Sequence, residues 1–262
     1  SKIKYFDIIT NKKNKKILKL CQNYNCKIFV VKKLTKTFFK KNFAIKNSLL
    51  IAAGSSWIIK QDIIELFNKN ILNVHQSPLP SLRGAVASYV KLFEIRSFQT
   101  CIYVLTKKID QGPIVFKKNI FISKDKDTPF KINLFLQSQN RELLKNFLIS
   151  YFIKKEKIQY SKQNEFFSSY MPRLKSDLNG WIDWSQNVYQ LDRFIGAFDY
   201  PYSGAKTYMH GKKVSLMDAQ FSCMEPSKHP FENGMVLRKF LNMIVISVEG
   251  GSLYVKKVIY KN

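Results

Sequence analysis

Three polar side chains near predicted turns have the chemistry needed for acyl transfer. Asn73 and His75 are alternate residues of the apolar stretch ILNVH (71–75), so both would face the same side of an extended strand. Asp110 lies further along the chain in IDQGPI (109–114). An imidazole can accept a proton, an amide can donate to an oxyanion, and a carboxylate can orient the imidazole and support its charge. Together these residue types suit the transfer of an acyl group to an amine.

The neighbouring residues do not suggest a covalent acyl-enzyme intermediate. Ser77 is the nearest hydroxyl, but Pro78 follows it, and a proline restricts its own backbone and that of the preceding residue. The stretch also lacks the Gly-x-Ser-x-Gly turn that exposes a serine nucleophile. Direct attack by the amine is therefore the favoured mechanism. The residues alone leave open a second interpretation, in which His75 is a structural residue of a loop.

The elements that would position these residues alternate between strands and helices. Apolar stretches predict strands at 5–10, 26–31, 47–54, 71–75, 99–106 and 113–123. Helical spacing of apolar residues predicts helices at 14–24, 56–70, 85–95 and 128–155. This alternation indicates an α/β fold with a Rossmann-like, mostly parallel sheet flanked by helices. Sites in such sheets form outside the carboxyl ends of the strands, where we expect both His75 and Asp110.

The chain is predicted to divide into a catalytic domain at 1–160, a polar linker at 161–180 and a smaller domain at 181–262. The last part contains a predicted helix at 189–198 and then strands. A hairpin turn is expected at His210-Gly211, and two or three strands at 234–260 turn at Glu249-Gly250-Gly251. We interpret this part as a small β domain, such as a partial barrel.

The formal net charge is +26, from 44 Lys and Arg against 18 Asp and Glu. A basic nucleic-acid-binding module without catalysis is therefore one hypothesis. The positive residues are mostly lysines spread over most of the chain, whereas nucleic-acid readout favours arginine. We therefore favour a solvated basic surface, whose field would also suit a phosphorylated substrate.

Composition also limits the class of protein. The chain is 45% hydrophobic, which argues against disorder. No apolar run approaches the roughly 20 residues of a membrane helix, and the start of the chain lacks a secretory signal, so we predict a cytoplasmic protein with no membrane partner. The cysteines are expected to be free thiols, and their spacing predicts no metal site: Cys21, Cys26, Cys101 and Cys223.

Several stretches resemble the folate-dependent formyltransferases, whose fold is that of glycinamide ribonucleotide transformylase. The most specific are NVHQSPLPSLRG (73–84) and IDQGPI (109–114). The resemblance extends to AAGSSWIIKQDIIELFNKN (52–70), MPRLKSDLNGWIDWS (171–185) and AFDYPYSGAKTYMHGKKVSLMDA (197–219). At the N-terminus, YFDIITNKKNKKILKL resembles the second strand and helix of the family. The resemblance implies that this chain starts late, and that the usual first strand, turn and helix are either missing from this chain or dispensed with by the fold.

The resemblance implies N10-formyltetrahydrofolate as the formyl donor, without a metal. Asn73 and His75 would polarise the formyl carbonyl, and Asp110 would orient His75. The implied folate-binding residues are Ala52, Gly54, Ser56, Trp57, Ile58 and Gln111. The implied acceptor-binding residues are Gln76, Ser77, Arg83, Tyr200 and Tyr202. For Trp57 and Ile58, a plain core role remains the alternative.

Within the family, the stretches at 171–219 are most similar to the sugar N-formyltransferases. The implied acceptor is the amine of an amino sugar on a nucleotide diphosphate, used for surface polysaccharide synthesis, and a homodimer is compatible with this class. The alternative is methionyl-tRNA formyltransferase, because a charge of +26 would suit tRNA. Another formyl or hydroxymethyl transferase is a further alternative.

Overall fold

The structure is a computed structural model that describes residues 6–12, 15–24 and 26–260, without the side chain of Leu20. The helices are α1 (Lys15–Tyr24), α2 (Lys36–Asn42), α3 (Gln61–Phe67), α4 (Val86–Leu92), α5 (Pro129–Leu148), α6 (Ser176–Asn179) and α7 (Val188–Ala197). The strands are β1 (Ile8–Thr10), β2 (Ile28–Val30), β3 (Leu50–Ala53), β4 (Ile71–His75), β5 (Arg83–Gly84), β6 (Ser97–Val104), β7 (Ile114–Phe121), β8 (Tyr170–Met171), β9 (Ala205–Met209), β10 (Lys212–Ser222), β11 (Val236–Phe240), β12 (Met243–Val248) and β13 (Gly251–Tyr260). A π-helical turn, Ile149–Ile153, extends α5.

The chain forms two compact units, which are described separately. The first comprises the described parts of Ser1–Pro80, Thr100–Lys118 and Asn140–Phe166. The second comprises Ser81–Gln99, Asn119–Gln139 and the described part of Phe167–Asn262. The predicted division at 160 and 180 stays a prediction. Within the residues predicted as a linker, the structure contains β8 and α6.

The sheet that contains β4 has the strand order β3-β4-β6-β7. β3 and β4 are parallel, and β1 and β2 form a separate parallel pair. Alternation along β4 gives it two different faces. Leu72 and Val74 pack in a buried cluster with Leu143 and Phe147 of α5. Ile71 packs on the other side with the buried side chains of α2 and α3, so Asn73 and His75 share the face of Ile71.

The predicted α/β class with a C-terminal β part is confirmed, with one difference in strand direction. β6 runs antiparallel to β4, with Asn73 opposite Tyr103 and His75 opposite Cys101. The sequence pattern could not reveal this direction. The inner residues of β6 from Thr100 to Val104 are all buried, so this antiparallel strand is as apolar as a parallel one would be.

The second unit is built around an antiparallel sheet with the strand order β11-β12-β13-β10-β9. Helix α7 covers it, because Leu191 and Ile195 are fully buried against Leu216 and Leu253 of the sheet. An Asn187 capping box begins this helix. The predicted hairpin turn at His210-Gly211 and the predicted turn at Glu249-Gly250 are both confirmed.

Each predicted strand and helix has a counterpart in the structure; β4 has the predicted bounds, and most of the others are shorter than predicted. Two of the predicted ranges also include Tyr5 and Asn14, which lie outside the described residues. None of the helices in the described ranges is long and apolar enough to cross a membrane.

Candidate active site

Strand β4 presents Asn73 and His75 on one face of the sheet. Asn73 lies in register with Ala52 of β3 on one side and with Tyr103 of β6 on the other. Residues that are directly opposite each other in neighbouring strands point to the same face. Tyr103 therefore lies beside Asn73 on the face that carries the candidate catalytic residues.

A chain of polar contacts joins the three predicted catalytic residues through Tyr103. The side-chain amide of Asn73 donates to the Tyr103 hydroxyl at 3.1 Å. That hydroxyl donates to Oδ1 of Asp110 at 2.6 Å. Oδ2 of Asp110 lies 3.8 Å from Nε2 of His75, and each of these two side chains is 14% exposed. The structure thus brings Asn73, His75 and Asp110 together, with the side chains of His75 and Asp110 partly exposed.

The loop between β6 and β7 brings Asp110 to this face. Because β6 is antiparallel to β4, its end lies next to the start of β4, where the Leu105 amide donates to the Ile71 carbonyl at 2.9 Å. His75 ends β4 and Asp110 follows β6, but because these two strands are antiparallel, their carboxyl ends lie at opposite edges of the sheet. Asp110 reaches His75 because the loop after β6 turns back along the strand, where the Val104 amide donates to the Pro113 carbonyl at 3.0 Å.

Close backbone packing fixes the loop that contains Asp110. A Cβ atom at Gly112 would lie 1.7 Å from the Val104 carbonyl oxygen, so only glycine fits there. The buried side chain of Gln163 donates to the carbonyls of Asp110 and Gly112, at 3.0 and 2.7 Å. Asp110 itself has a left-handed backbone, with φ 55°. The position of the carboxylate is thus set by this tight turn.

The backbone of His75 is fixed from the neighbouring strand. The hydroxyl of Thr100, which is fully buried, donates to the His75 carbonyl at 2.9 Å and also contacts the side chain of Asn140. Next to Thr100, the Cys101 thiol donates to the carbonyl of Ser77 at 3.6 Å. Burial raises the pKa of Cys101 to about 12. This cysteine therefore stays a neutral thiol and offers no nucleophile to the site.

Tyr103 was missed by the sequence reasoning, although it lies in a strand that was predicted. It is 1% exposed, and its ring meets that of His75 edge-on at 6.0 Å between centroids. Burial, together with the negative charge of Asp110, raises the pKa of the Tyr103 hydroxyl. Tyr103 therefore remains a hydrogen-bond donor at neutral pH. The available signal was a phenol hydroxyl next to the apolar residues Ile102 and Val104.

Three of the predicted folate-binding residues lie on or just after β3. Ala52 is buried and paired with Asn73. Gly54 has φ +61° and open space around the position of a Cβ atom. The Ser56 hydroxyl accepts from the Asn11 side chain at 2.7 Å. The structure therefore places Ala52 beside Asn73 of the candidate catalytic cluster and leaves Gly54 accessible.

The other three predicted folate-binding residues have different environments. The Trp57 indole donates to the Lys32 carbonyl at 3.3 Å and packs against a buried cluster. Ile58 is 82% exposed, so the alternative of a core role does not apply to it. Gln111 is partly buried and follows Asp110 directly.

The predicted acceptor-binding residues fall in both units. Gln76 is partly buried and Ser77 is fully buried, in the first unit directly after His75. Ser77 therefore lies inside the turn in this structure rather than facing solvent.

The remaining three predicted acceptor-binding residues lie in the second unit. Arg83 is 7% exposed and pairs with Tyr170 through the short strands β5 and β8. Tyr200 is exposed and its ring contacts Phe130, with 4.9 Å between centroids. Tyr202 is partly exposed and its amide donates to the Asp199 carbonyl.

Within the described part of the chain there is no group of three or more His, Cys, Asp and Glu side chains that could hold a metal ion. The polar groups of the cluster are instead an amide, an imidazole, a phenol and a carboxylate. Such a set can polarise a carbonyl and move a proton, as acyl transfer requires.

Comparison with known proteins agrees with this chemistry. A family model described as formyl transferase matches residues 4–148, which is more than half of the chain, and a model for the C-terminal domain of formyl transferase matches residues 175–262. The chain belongs to the formyl transferase family. The predicted family is thereby confirmed.

Two curated relatives match this formyl transferase over only part of their own length. The bifunctional polymyxin resistance protein ArnA of Wigglesworthia glossinidia brevipalpis is 29% identical over 204 residues, which are 78% of this chain and 30% of that protein. The methionyl-tRNA formyltransferase of Thermotoga neapolitana is 27% identical over 180 residues, which are 67% of this chain and 55% of that protein.

A solved structure shares the fold of this formyl transferase over most of both chains. It is an N-formyltransferase from Helicobacter canadensis, in complex with folinic acid and dTDP-3-aminofucose. The TM-score is 0.67 at 18% identity, and the match covers 91% of this chain and 81% of the other.

Proposed function

We propose that this protein transfers a formyl group from N10-formyltetrahydrofolate to the amine of a nucleotide-linked amino sugar. The observation that carries the proposal is the connected cluster of Asn73, Tyr103, Asp110 and His75 in a member of the formyl transferase family. The cluster contains the groups that acyl transfer to an amine needs.

Each residue of the cluster has a role in the proposed reaction. The acceptor amine attacks the formyl carbon, a new C–N bond forms, and the carbonyl oxygen becomes an oxyanion. An N–H of the Asn73 amide and the imidazole of His75 stabilise that oxyanion. The imidazole of His75 accepts a proton from the attacking amine and passes it to the N10 that leaves when its bond to carbon breaks, while Asp110 orients His75 and supports its charge. The products are the formylated amine and tetrahydrofolate.

The sugar acceptor is supported by sequence and by fold. Residues 171–219 resemble the sugar enzymes, and the Helicobacter canadensis protein of the same fold was solved with a nucleotide-linked amino sugar. A methionyl-tRNA acceptor is the second candidate, and the Thermotoga neapolitana relative supports it. A cytoplasmic location, a role in surface polysaccharide synthesis and a homodimer belong to the first proposal and stay predictions.

One assay separates the two acceptors. The protein is incubated with N10-formyltetrahydrofolate and either a pool of nucleotide-linked 3-amino and 4-amino sugars or charged initiator tRNA, and formylated products are identified by mass spectrometry. We expect a formylated sugar nucleotide, with the His75→Asn variant as the inactive control. Formylation of the tRNA alone would overturn the sugar acceptor, and transfer to neither acceptor would overturn the proposed activity.

A further inference from the structure

We propose that Tyr103 is a positioning residue of this site: its hydroxyl orients the Asn73 amide and holds one oxygen of Asp110, which leaves the other oxygen for His75. The inference deepens the proposed function and rests on it. Tyr103 is 1% exposed, so it has no direct access to a substrate and acts through Asn73 and Asp110.

The direction of each hydrogen bond follows from the chemistry of the groups. The nitrogen of an amide side chain can only donate, so the Tyr103 oxygen accepts at the 3.1 Å contact with Asn73. The single hydrogen of the phenol is then available for Oδ1 of Asp110, at 2.6 Å. This order fixes the amide of Asn73, because its nitrogen must face Tyr103. One of its two N–H hydrogens is used there, and the other remains for the oxyanion.

The same contact divides the carboxylate of Asp110 between two partners. Oδ1 accepts from Tyr103, and Oδ2 is the oxygen that lies 3.8 Å from Nε2 of His75. A hydrogen bond to a charged group is short and strong, and it restricts rotation of the carboxylate. Tyr103 therefore keeps Oδ2 directed at His75.

Packing alone does not account for a tyrosine at this position. Its ring packs in a small cluster with Leu79 and Cys101, and the ring of a phenylalanine would fill the same space. A buried hydroxyl carries a desolvation cost unless it is bonded. Here the two groups bonded to the hydroxyl are both predicted catalytic side chains. The hydroxyl therefore has a role in the site in addition to the role of the ring in the core.

The kinetic test compares two tyrosine variants that each lose only a hydroxyl. Tyr103→Phe removes the hydroxyl between Asn73 and Asp110. The control is Tyr151→Phe, because Tyr151 belongs to the same unit and stacks on Phe147 in the cluster on the opposite face of β4. We expect kcat of Tyr103→Phe to fall by about 10- to 100-fold, because this is the usual contribution of a hydrogen bond to a charged group. KM for both substrates should stay within about twofold. Tyr151→Phe should keep both constants.

Two kinetic outcomes overturn the inference while the proposed function stands. In the first, the wild type is active and Tyr103→Phe has the same kcat as the wild type. The other is a kcat that falls only in proportion to the loss of folded protein. Thermal melting measures that loss. A wild type that transfers no formyl group instead overturns the proposed function and this inference with it.

A spectroscopic measurement does not depend on catalytic turnover. A hydroxyl proton held between a phenol and a carboxylate should appear far downfield in the proton NMR spectrum of the wild-type protein. We expect this signal in Tyr151→Phe, its absence in Tyr103→Phe, and an upfield shift in Asp110→Asn, where the acceptor is neutral. Absence of the signal in the wild type, or an unchanged signal in Asp110→Asn, overturns the inference.

Discussion

At the scale of single residues, His75 is the group on which proton transfer depends in the proposed reaction. In His75→Asn the side chain cannot accept a proton, while the backbone carbonyl of residue 75 keeps its contact with Thr100. We expect kcat to fall by about 10²- to 10⁴-fold, which is the usual contribution of a general acid or base. The melting temperature should change little, because His75 lies outside the buried clusters. Initial rates and thermal melting test this, and activity within about tenfold of wild type would contradict the role.

The residues of this site differ in how far the sequence reveals them. Asn73 and His75 could be predicted because their alternate spacing at the end of an apolar strand is itself a signal. Tyr103 could not, because a tyrosine among apolar residues is typical of an ordinary core strand. Its role depends on the register of β4 against β6, which places it opposite Asn73. That register is set by tertiary pairing, which a single sequence does not show.

At the scale of elements, the loop between β6 and β7 determines whether the site exists. Gly112→Ala would place a methyl carbon 1.7 Å from the Val104 carbonyl oxygen, so the backbone on one side must move. We expect the free energy of unfolding to fall by about 1–3 kcal/mol, as for other overpacked positions. We also expect kcat to fall by about 100-fold or more, because a shift of about 1 Å at a catalytic group has that effect. Chemical denaturation and steady-state kinetics measure the two quantities.

Gly211→Ala is the matched control for Gly112→Ala. Gly211 lies in the hairpin turn between β9 and β10, with φ +72° and no atom within 4 Å of an added Cβ. Its left-handed backbone alone should cost about 1–2 kcal/mol, without any change near Asp110. An equal loss of kcat in both variants would show that Gly112 acts through global stability and not through the position of the loop.

The elements themselves could largely be predicted, but not how they are joined. Apolar periodicity located β4, β6 and the long helix α5, because burial imposes that periodicity on the sequence. The antiparallel direction of β6 was missed, since a strand covered on both faces has the same pattern in either direction. The sequence also did not show that the loop after β6 turns back along this strand and brings Asp110 to His75. Gly112 was visible only as a turn residue, while its contact with Val104 is a property of the folded chain.

At the scale of the whole molecule, the formal charge of +26 makes the salt dependence of the reaction a test of the acceptor. A tRNA held through roughly 6–10 phosphates would lose about 10³- to 10⁵-fold in affinity between about 50 and 200 mM salt, because bound counterions are released. A nucleotide diphosphate sugar has only about two phosphate charges and no condensed layer of counterions to release. We therefore expect kcat/KM for the sugar acceptor to fall by no more than about tenfold over the same range. Rates at saturating acceptor serve as the control, because a change in kcat would report an effect of salt on the enzyme itself. A loss of a thousandfold or more with the sugar acceptor is larger than its few phosphate charges can explain and would contradict this prediction.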